Sequence, residues 1–211
     1  MYINQKFLDH MLTNKMHFEG TTDTTFIVKE PIGVLVVTKG RMVLADPYAI
    51  NYGIAISEDI PNGKYPVHII SAHVQPEDEI KVAGVLIQFD EEQVPDEWQM
   101  CLPPYVEASE IPKDGFYGIT TESYNVAICA EQTVAWLLEH VEESAEVLAD
   151  IEKQIGATYF ANGGVANTIL PNIEVNLITV VAGTEKGTYP AYWGYKNGKP
   201  VCFAMDFLVV D

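Results

Sequence analysis

The chain has a single arginine, Arg41, among its 211 residues, and only three cysteines, Cys101, Cys129 and Cys202. The planar guanidinium fork that grips a phosphate in two places is available once at most, which weighs against phosphoryl transfer. The cysteines are odd in number, widely scattered and never in a Cys-x-x-Cys pair. That pattern excludes a disulfide framework and suits a reducing compartment. No apolar run approaches the ~20 residues of a membrane helix. The segment from Met1 to Gly20 lacks the continuous apolar stretch of a secretory signal. The expectation is a cytoplasmic protein with no membrane association.

Basic charge is scarce as a whole: 12 Lys and Arg stand against 30 Asp and Glu, a net charge of −18. Nucleic acid and anionic membrane surfaces both demand a basic footprint, so neither is an expected partner. The deficit is local. Residues 1–57 carry five acids and five bases, and residues 153–211 carry four of each. Between Glu58 and Glu152 there are 21 acids against Lys64, Lys81 and Lys113, and that stretch holds the entire net charge. An acid block of this kind keeps a protein soluble, and it also suits the docking of a basic protein partner.

What is present fits one globular domain over residues 1–211: 48% of residues are apolar, with 15 Gly and 12 Pro. A domain of this length buries roughly 70% of the surface of its unfolded chain, so folding needs no metal or cofactor. Phe7, Leu8, Met11 and Leu12 recur at helical spacing and predict a short helix or arm within residues 3–16. Gly33 to Thr38 and Arg41 to Ala45 are β-rich runs around Lys39-Gly40 and read as a hairpin, ended by Asp46-Pro47. Tyr65 to Val74 and Glu79 to Asp90 read as a second strand pair across Gln75-Pro76-Glu77-Asp78. Short strands are expected at Trp98 to Leu102 and at Tyr124 to Cys129.

Residues 130–155 form the clearest helical pattern. Val134, Leu137, Leu138, Val141, Ala145, Leu148, Ile151 and Ile155 step by three and four, with Glu139, Glu142, Glu143, Glu146, Asp150 and Glu152 on the other side and Gly156 as the stop. A strand follows over residues 172–182. Asn197-Gly198 then separates two aromatic and β-branched runs, Tyr189 to Lys196 and Lys199 to Val210, the strongest short hairpin signal there is. Many strands and one long amphipathic helix laid on a face predict an α+β fold with largely antiparallel sheets built from hairpins.

Searches for catalytic chemistry return little. There is no Gly-x-Ser-x-Gly elbow, no Gly-x-Gly-x-x-Gly and no phosphate loop; Asn162-Gly163-Gly164 lacks the following Lys-Ser/Thr. The cysteines sit in apolar β-like surroundings typical of buried thiols. His68 and His73 are five apart in one strand, which sends them to opposite faces. His10 and His17 would lie about 10 Å apart on a helix. No metal site is expected.

The most site-like constellation comes from pairing Lys196 with Lys199 across the last turn. Continuing that register puts Tyr189 opposite Asp206 and Trp193 opposite Cys202, so one face would carry Tyr189, Trp193 and Asp206. A carboxylate among Cys202, Ala204, Leu208 and Val210 needs donors or a proton, which marks Asp206 as a structural acid or a ligand-binding group in an aromatic pocket. Asp46 is a second such acid, with a turn-making role as its simplest explanation.

These residues also carry a likeness. Gly40-Arg41-Met42-Val43-Leu44-Ala45-Asp46-Pro47, Ile60-Pro61-Asn62-Gly63-Lys64-Tyr65-Pro66-Val67, the stretch Ala83 to Phe89 with Val94-Pro95 and Trp98-Gln99-Met100, and the hairpin from Tyr189-Pro190 to Asp206-Phe207-Leu208-Val209 resemble a bacterial family known as domain-of-unknown-function family 4241. The chain departs from that pattern at Glu185-Lys186-Gly187-Thr188, where the family commonly has Gly-Asp-Gly, and around Thr120-Thr121-Glu122, where an Asp-Ala-Gly element is replaced. Asp46 and Asp206 remain. The resemblance implies a fold and a bacterial cytoplasmic setting, without an activity.

Two functional expectations result. One is a non-enzymatic interaction protein of the immunity or inhibitor kind, docking a basic partner on the acid block. The other is a small-ligand-binding protein or hydrolase that uses Tyr189, Trp193 and Asp206, with Asp46 or Glu122.

Overall fold

The computed structural model describes residues 2–13, 15–16, 24–38, 40–74, 79–183 and 185–210. Thirteen strands and three α-helices are found among them. The strands are β1 (Lys15–Met16), β2 (Thr24–Val37), β3 (Arg41–Ala45), β4 (Ile54–Asp59), β5 (Gly63–Val74), β6 (Glu79–Gln88), β7 (Glu97–Met100), β8 (Gly118–Thr121), β9 (Asn125–Ala130), β10 (Val165–Ile169), β11 (Asn176–Val181), β12 (Gly187–Lys196) and β13 (Lys199–Asp206). The helices are α1 (Gln5–Met11), α2 (Glu131–Glu139) and α3 (Val141–Asn162).

The strands form two antiparallel sheets. One runs β1-β2-β5-β6-β13-β12-β7 with β8 also on β12, and the other runs β10-β11-β9-β3-β4. The fold is α+β, as the patterning predicts. In the five-stranded sheet, alternate residues of β3, β9 and β11 separate cleanly. Met42, Leu44, Val126, Ile128, Ile178 and Val180 join the large core against the eight-stranded sheet. Val43, Ala127, Cys129 and Leu177 join Trp136, Leu137, Val147 and Ile151 of α2 and α3. This is the two-residue period of a strand buried on both sides.

Helix α1 covers part of the eight-stranded sheet with Phe7, Leu8 and Met11, all fully buried. It sits over Gly84, where an added Cβ would run into Met11 Cε. Asn4 caps it by accepting from the Phe7 N–H at 3.2 Å, and Asp9 accepts from Trp98 Nε1 at 3.0 Å.

Strands β5 and β6 pair as expected; their turn at 75–78 lies outside the described residues. The expected first hairpin does not form. Strand β2 pairs with β5 along nearly its whole length, while β3 belongs to the other sheet, between β4 and β9. Gly40, at φ 79, thus lies where the chain passes between sheets; Lys39 of the expected turn is outside the described residues. The run Arg41 to Ala45 is nearly continuous in apolar residues and gains burial on both sides in β3, which a solvated hairpin would deny it, whereas the other run buries Leu35 and Val37 and leaves Val34 exposed.

On its side opposite β5, β2 pairs with β1 at Ile27 and Val28, and around residues 32–36 it is served by side chains of the other sheet. Asn176 Nδ2 donates to Val34 O at 2.7 Å, and Val36 N–H donates to Asn176 Oδ1 at 2.8 Å. The amide of Asn176 mimics a peptide and caps the edge of β2 there.

The single helix expected over 130–155 is two helices. The chain breaks at His140, whose φ of −116 and ψ of 67 are not helical. The Ser144 hydroxyl donates to Leu137 O at 2.6 Å and to His140 O at 2.7 Å, capturing carbonyls at the end of α2, and the His140 ring stacks on Trp136 at 4.4 Å. Helix α3 then continues past Gly156, which points into open space, and stops at Gly163 in the left-handed conformation at φ 88. The strand expected from residue 172 begins at Asn176 and pairs with β10.

Candidate functional site

The last hairpin turns where Asn197-Gly198 places it, with φ of 51 and 73 at the two residues. Lys196 pairs with Lys199 and Tyr195 with Pro200, as expected, but Gly194 then pairs with Cys202 and Trp193 with Phe203. Val201 is an extra residue. Pro200 has no N–H for the ladder, and proline inside a sheet is accommodated at bulges. The one-residue slip turns β13 over. Asp206 therefore leaves the face of Tyr189 and Trp193 and joins that of Tyr192, so the expected three-residue face is corrected to an aromatic pair without its acid.

Trp193 packs between Phe89 and Phe203, with ring centroids 5.8 and 5.6 Å away. Tyr189 meets Phe207 edge to face at 5.4 Å, and its hydroxyl donates to Ala182 O at 3.2 Å and to Glu185 O. Burial raises the Tyr189 pKa. Asp206 is fully buried beside Gly84, under α1, and accepts from the Leu208 N–H at 2.8 Å. Burial, and then the Asp206 charge, pushes the nearby Tyr192 hydroxyl far up.

Asp46 ends β3 and caps the 3-10 turn Pro47–Tyr52. Its Oδ1 accepts from Tyr48 N–H at 3.0 Å and from the Ser123 hydroxyl at 2.7 Å. Its Oδ2 accepts from Thr121 Oγ1 and Glu122 N–H, each at 3.0 Å, and from Ser123 N–H at 2.9 Å. Burial works to raise its pKa, but the bonds from Ser123, Tyr48 and Glu122 outweigh it and hold the carboxyl below the usual Asp value. Five donors leave this carboxylate little capacity for a ligand. Glu122 meets Asp46 through its backbone only; its side chain is exposed and pairs with Lys186 at 3.0 Å. Ser123 and Thr121 carry no sequence signal linking them to Asp46.

All three thiols are buried. Burial raises Cys101 and Cys129, with Glu58 adding to the rise at Cys101, and pushes Cys202 up to about 12. A poised thiolate needs the opposite environment. No group of three His, Cys, Asp or Glu side chains at metal-binding distance is found among the described residues.

Two features face solvent. The first is the outer side of α2 and α3. Between Glu131 and Asn162 the chain has seven acids and one base, Lys153. Glu139, Glu142, Glu143, Glu146 and Glu152 are all exposed. The ion pairs among the described residues are Arg41–Asp59, Lys81–Glu79, Lys186–Glu122 and Lys196–Asp96, none of them on these helices. Glu142, Glu146 and Asp150 are four residues apart, the spacing at which like charges repel along a helix. Leu138 and Val141, on either side of the break, are 52% and 74% exposed.

The second is a cavity of about 440 Å3 lined in part by Glu58, Trp98, Pro103, Val106, Trp193 and Tyr195. It opens where β4 of one sheet passes β7 and β12 of the other. Tyr195 Oη donates to Glu58 Oε1 at 2.9 Å. Trp193 is the one expected site residue in its wall. Tyr195, two positions along the same strand, was legible by period, whereas Glu58 comes from a distant strand with no local signal.

Residues 35–205 match the family model described as "Protein of unknown function (DUF4241)". No curated protein and no solved structure matches the chain. No described helix is long and apolar enough to cross a membrane.

Proposed function

The chain belongs to the DUF4241 family, whose description assigns no activity, and from that premise we propose a non-catalytic interaction protein of the immunity or inhibitor kind that docks a basic protein partner on the outer side of α2 and α3. The observation that carries this reading is the acid ridge itself. Its carboxylates lie four apart without lysine partners, a layout that costs the isolated helix free energy and is relieved when an opposite charge arrives. Leu138 and Val141 offer apolar area inside that charged rim, the usual anatomy of an interface.

The alternatives are weaker on geometry. An acid-base pair of Asp46 and Asp206 would join a carboxylate occupied by five donors to one with no solvent exposure. The small-ligand reading keeps only Trp193, and it moves from the hairpin face to the cavity beside Glu58.

Native mass spectrometry on the protein purified gently from its host at low salt tests the proposal. A retained basic protein that is released at moderate ionic strength supports docking. A bare chain, or a partner held independently of salt, refutes it.

A further inference from the structure

The cavity between β4 and β12 has a chemistry of its own. Its polar wall is the Tyr195–Glu58 hydrogen bond, in which the phenol donates and the carboxylate accepts. An ionised carboxylate offers about four lone-pair sites, and Tyr195 fills one. No lysine or arginine forms an ion pair with Glu58 among the described residues. Ser57 and Gln99 add polar groups to the lining, and most of the rest is apolar, including Leu102, Pro103, Pro104, Val106 and the indoles of Trp98 and Trp193. Main-chain geometry fixes the mouth, because Ser57 N–H donates to Leu102 O at 3.1 Å and ties β4 to the segment after β7.

Anions are repelled here by Glu58 and by the net charge of −18. A neutral apolar guest would strip water from the carboxylate without replacing its hydrogen bonds. A group with several N–H donors on an aliphatic stem satisfies both walls: the head takes the open lone pairs of Glu58, and the methylenes lie along the prolines and Val106. Nearby aromatic rings add attraction for a cation.

We propose that this cavity binds an alkylguanidinium or alkylammonium group with its charged head on Glu58. The cation has two possible sources, an arginine or lysine side chain on a protein or a free polyamine. The site uses none of the acid ridge, so it stands whether or not the docking proposal does.

Isothermal titration of the intact chain with n-butylguanidinium, spermidine and Nα-acetyl-arginine N-methylamide, and with n-butanol as the uncharged control, tests it. Saturable one-to-one binding of a charged probe is expected, weakened about tenfold or more by Glu58→Gln. Ala108→Trp, at an exposed wall position, should abolish it by filling the space. Tighter binding of the capped arginine assigns a chain-borne cation, and tighter binding of spermidine a free polyamine. If Glu58→Gln fails to fold, by thermal melt, the Ala108→Trp result decides. Equal affinity in the native chain and the variants, binding of n-butanol as tight as that of the cations, or no heat up to about 10 mM probe overturns the proposal.

Discussion

Replacing Asp46 by alanine should cost the protein about 3 kcal/mol. Two of its five donors are hydroxyls with other partners: Thr121 Oγ1 also reaches Asn125 O at 2.8 Å, and Ser123 Oγ also accepts from Asn125 N–H at 3.3 Å. The three N–H groups of Tyr48, Glu122 and Ser123 would be stranded. Each such loss costs roughly 1–3 kcal/mol, at the low end here because Glu122 is exposed and Ser123 is half-buried. About 3 kcal/mol lowers a urea midpoint by about 1–1.5 M for an m of about 2–3 kcal/mol/M, or Tm by about 6–12 °C. The effect has a signature in pH. Because the folded carboxyl titrates below the reference value of 3.8, its stabilisation is complete above that value and is lost as pH falls through the lower folded pKa. The gap between the native chain and Asp46→Ala should therefore narrow below about pH 4. A loss under about 1 kcal/mol at pH 7, or a gap unchanged in acid, refutes the five-donor account.

Three further outcomes follow from the same geometry. Asn176→Leu strands Val34 O and Val36 N–H at the capped edge of β2 and should destabilise by about 1–3 kcal/mol in urea unfolding; a neutral result would mean water serves that edge equally well. Burial, with Lys29 adding, pushes His68 down to about 4 from 6.5. Between those pH values the unfolded histidine takes a proton that the folded one refuses, so stability falls with acid, and melts of His68→Leu should lack that component of the slope. Glu146→Gln removes like-charge contacts with Glu142 and Asp150 and should raise stability by a few tenths of a kcal/mol while weakening partner binding; a lowered Tm would show that the ridge is structural.

The chain shows which parts of this fold are written locally. Asn197-Gly198 fixes a hairpin because both residues must take positive φ, and the structure has it. The register beyond that turn depended on Pro200, whose missing N–H adds a bulge and moves Asp206 to the opposite face. Gly33 to Thr38 and Arg41 to Ala45 were legible as strands from their apolar runs. Their partners, β5 on one side and β9 on the other, are set by packing across the molecule, which no local pattern encodes. The break at His140 was invisible for a similar reason: the 3.6-residue apolar stripe continues across it, and the cause is a Ser144 hydroxyl turned back on two carbonyls. At the candidate sites, Asp46 and Trp193 could be picked out, but Thr121, Ser123 and Glu58 meet them only through the fold.

The central claim is that the outer side of α2 and α3 docks a basic protein through charge. The most direct test measures association of the partner retained at low salt, by stopped flow or surface plasmon resonance, across ionic strength, for the native chain and for a variant carrying Glu139→Gln, Glu142→Gln, Glu143→Gln and Glu146→Gln. The account predicts an association rate that falls about tenfold or more from low to moderate salt in the native chain, and a flat, slow rate in the variant. Matching salt profiles for the two proteins, or no retained partner at all, would contradict it.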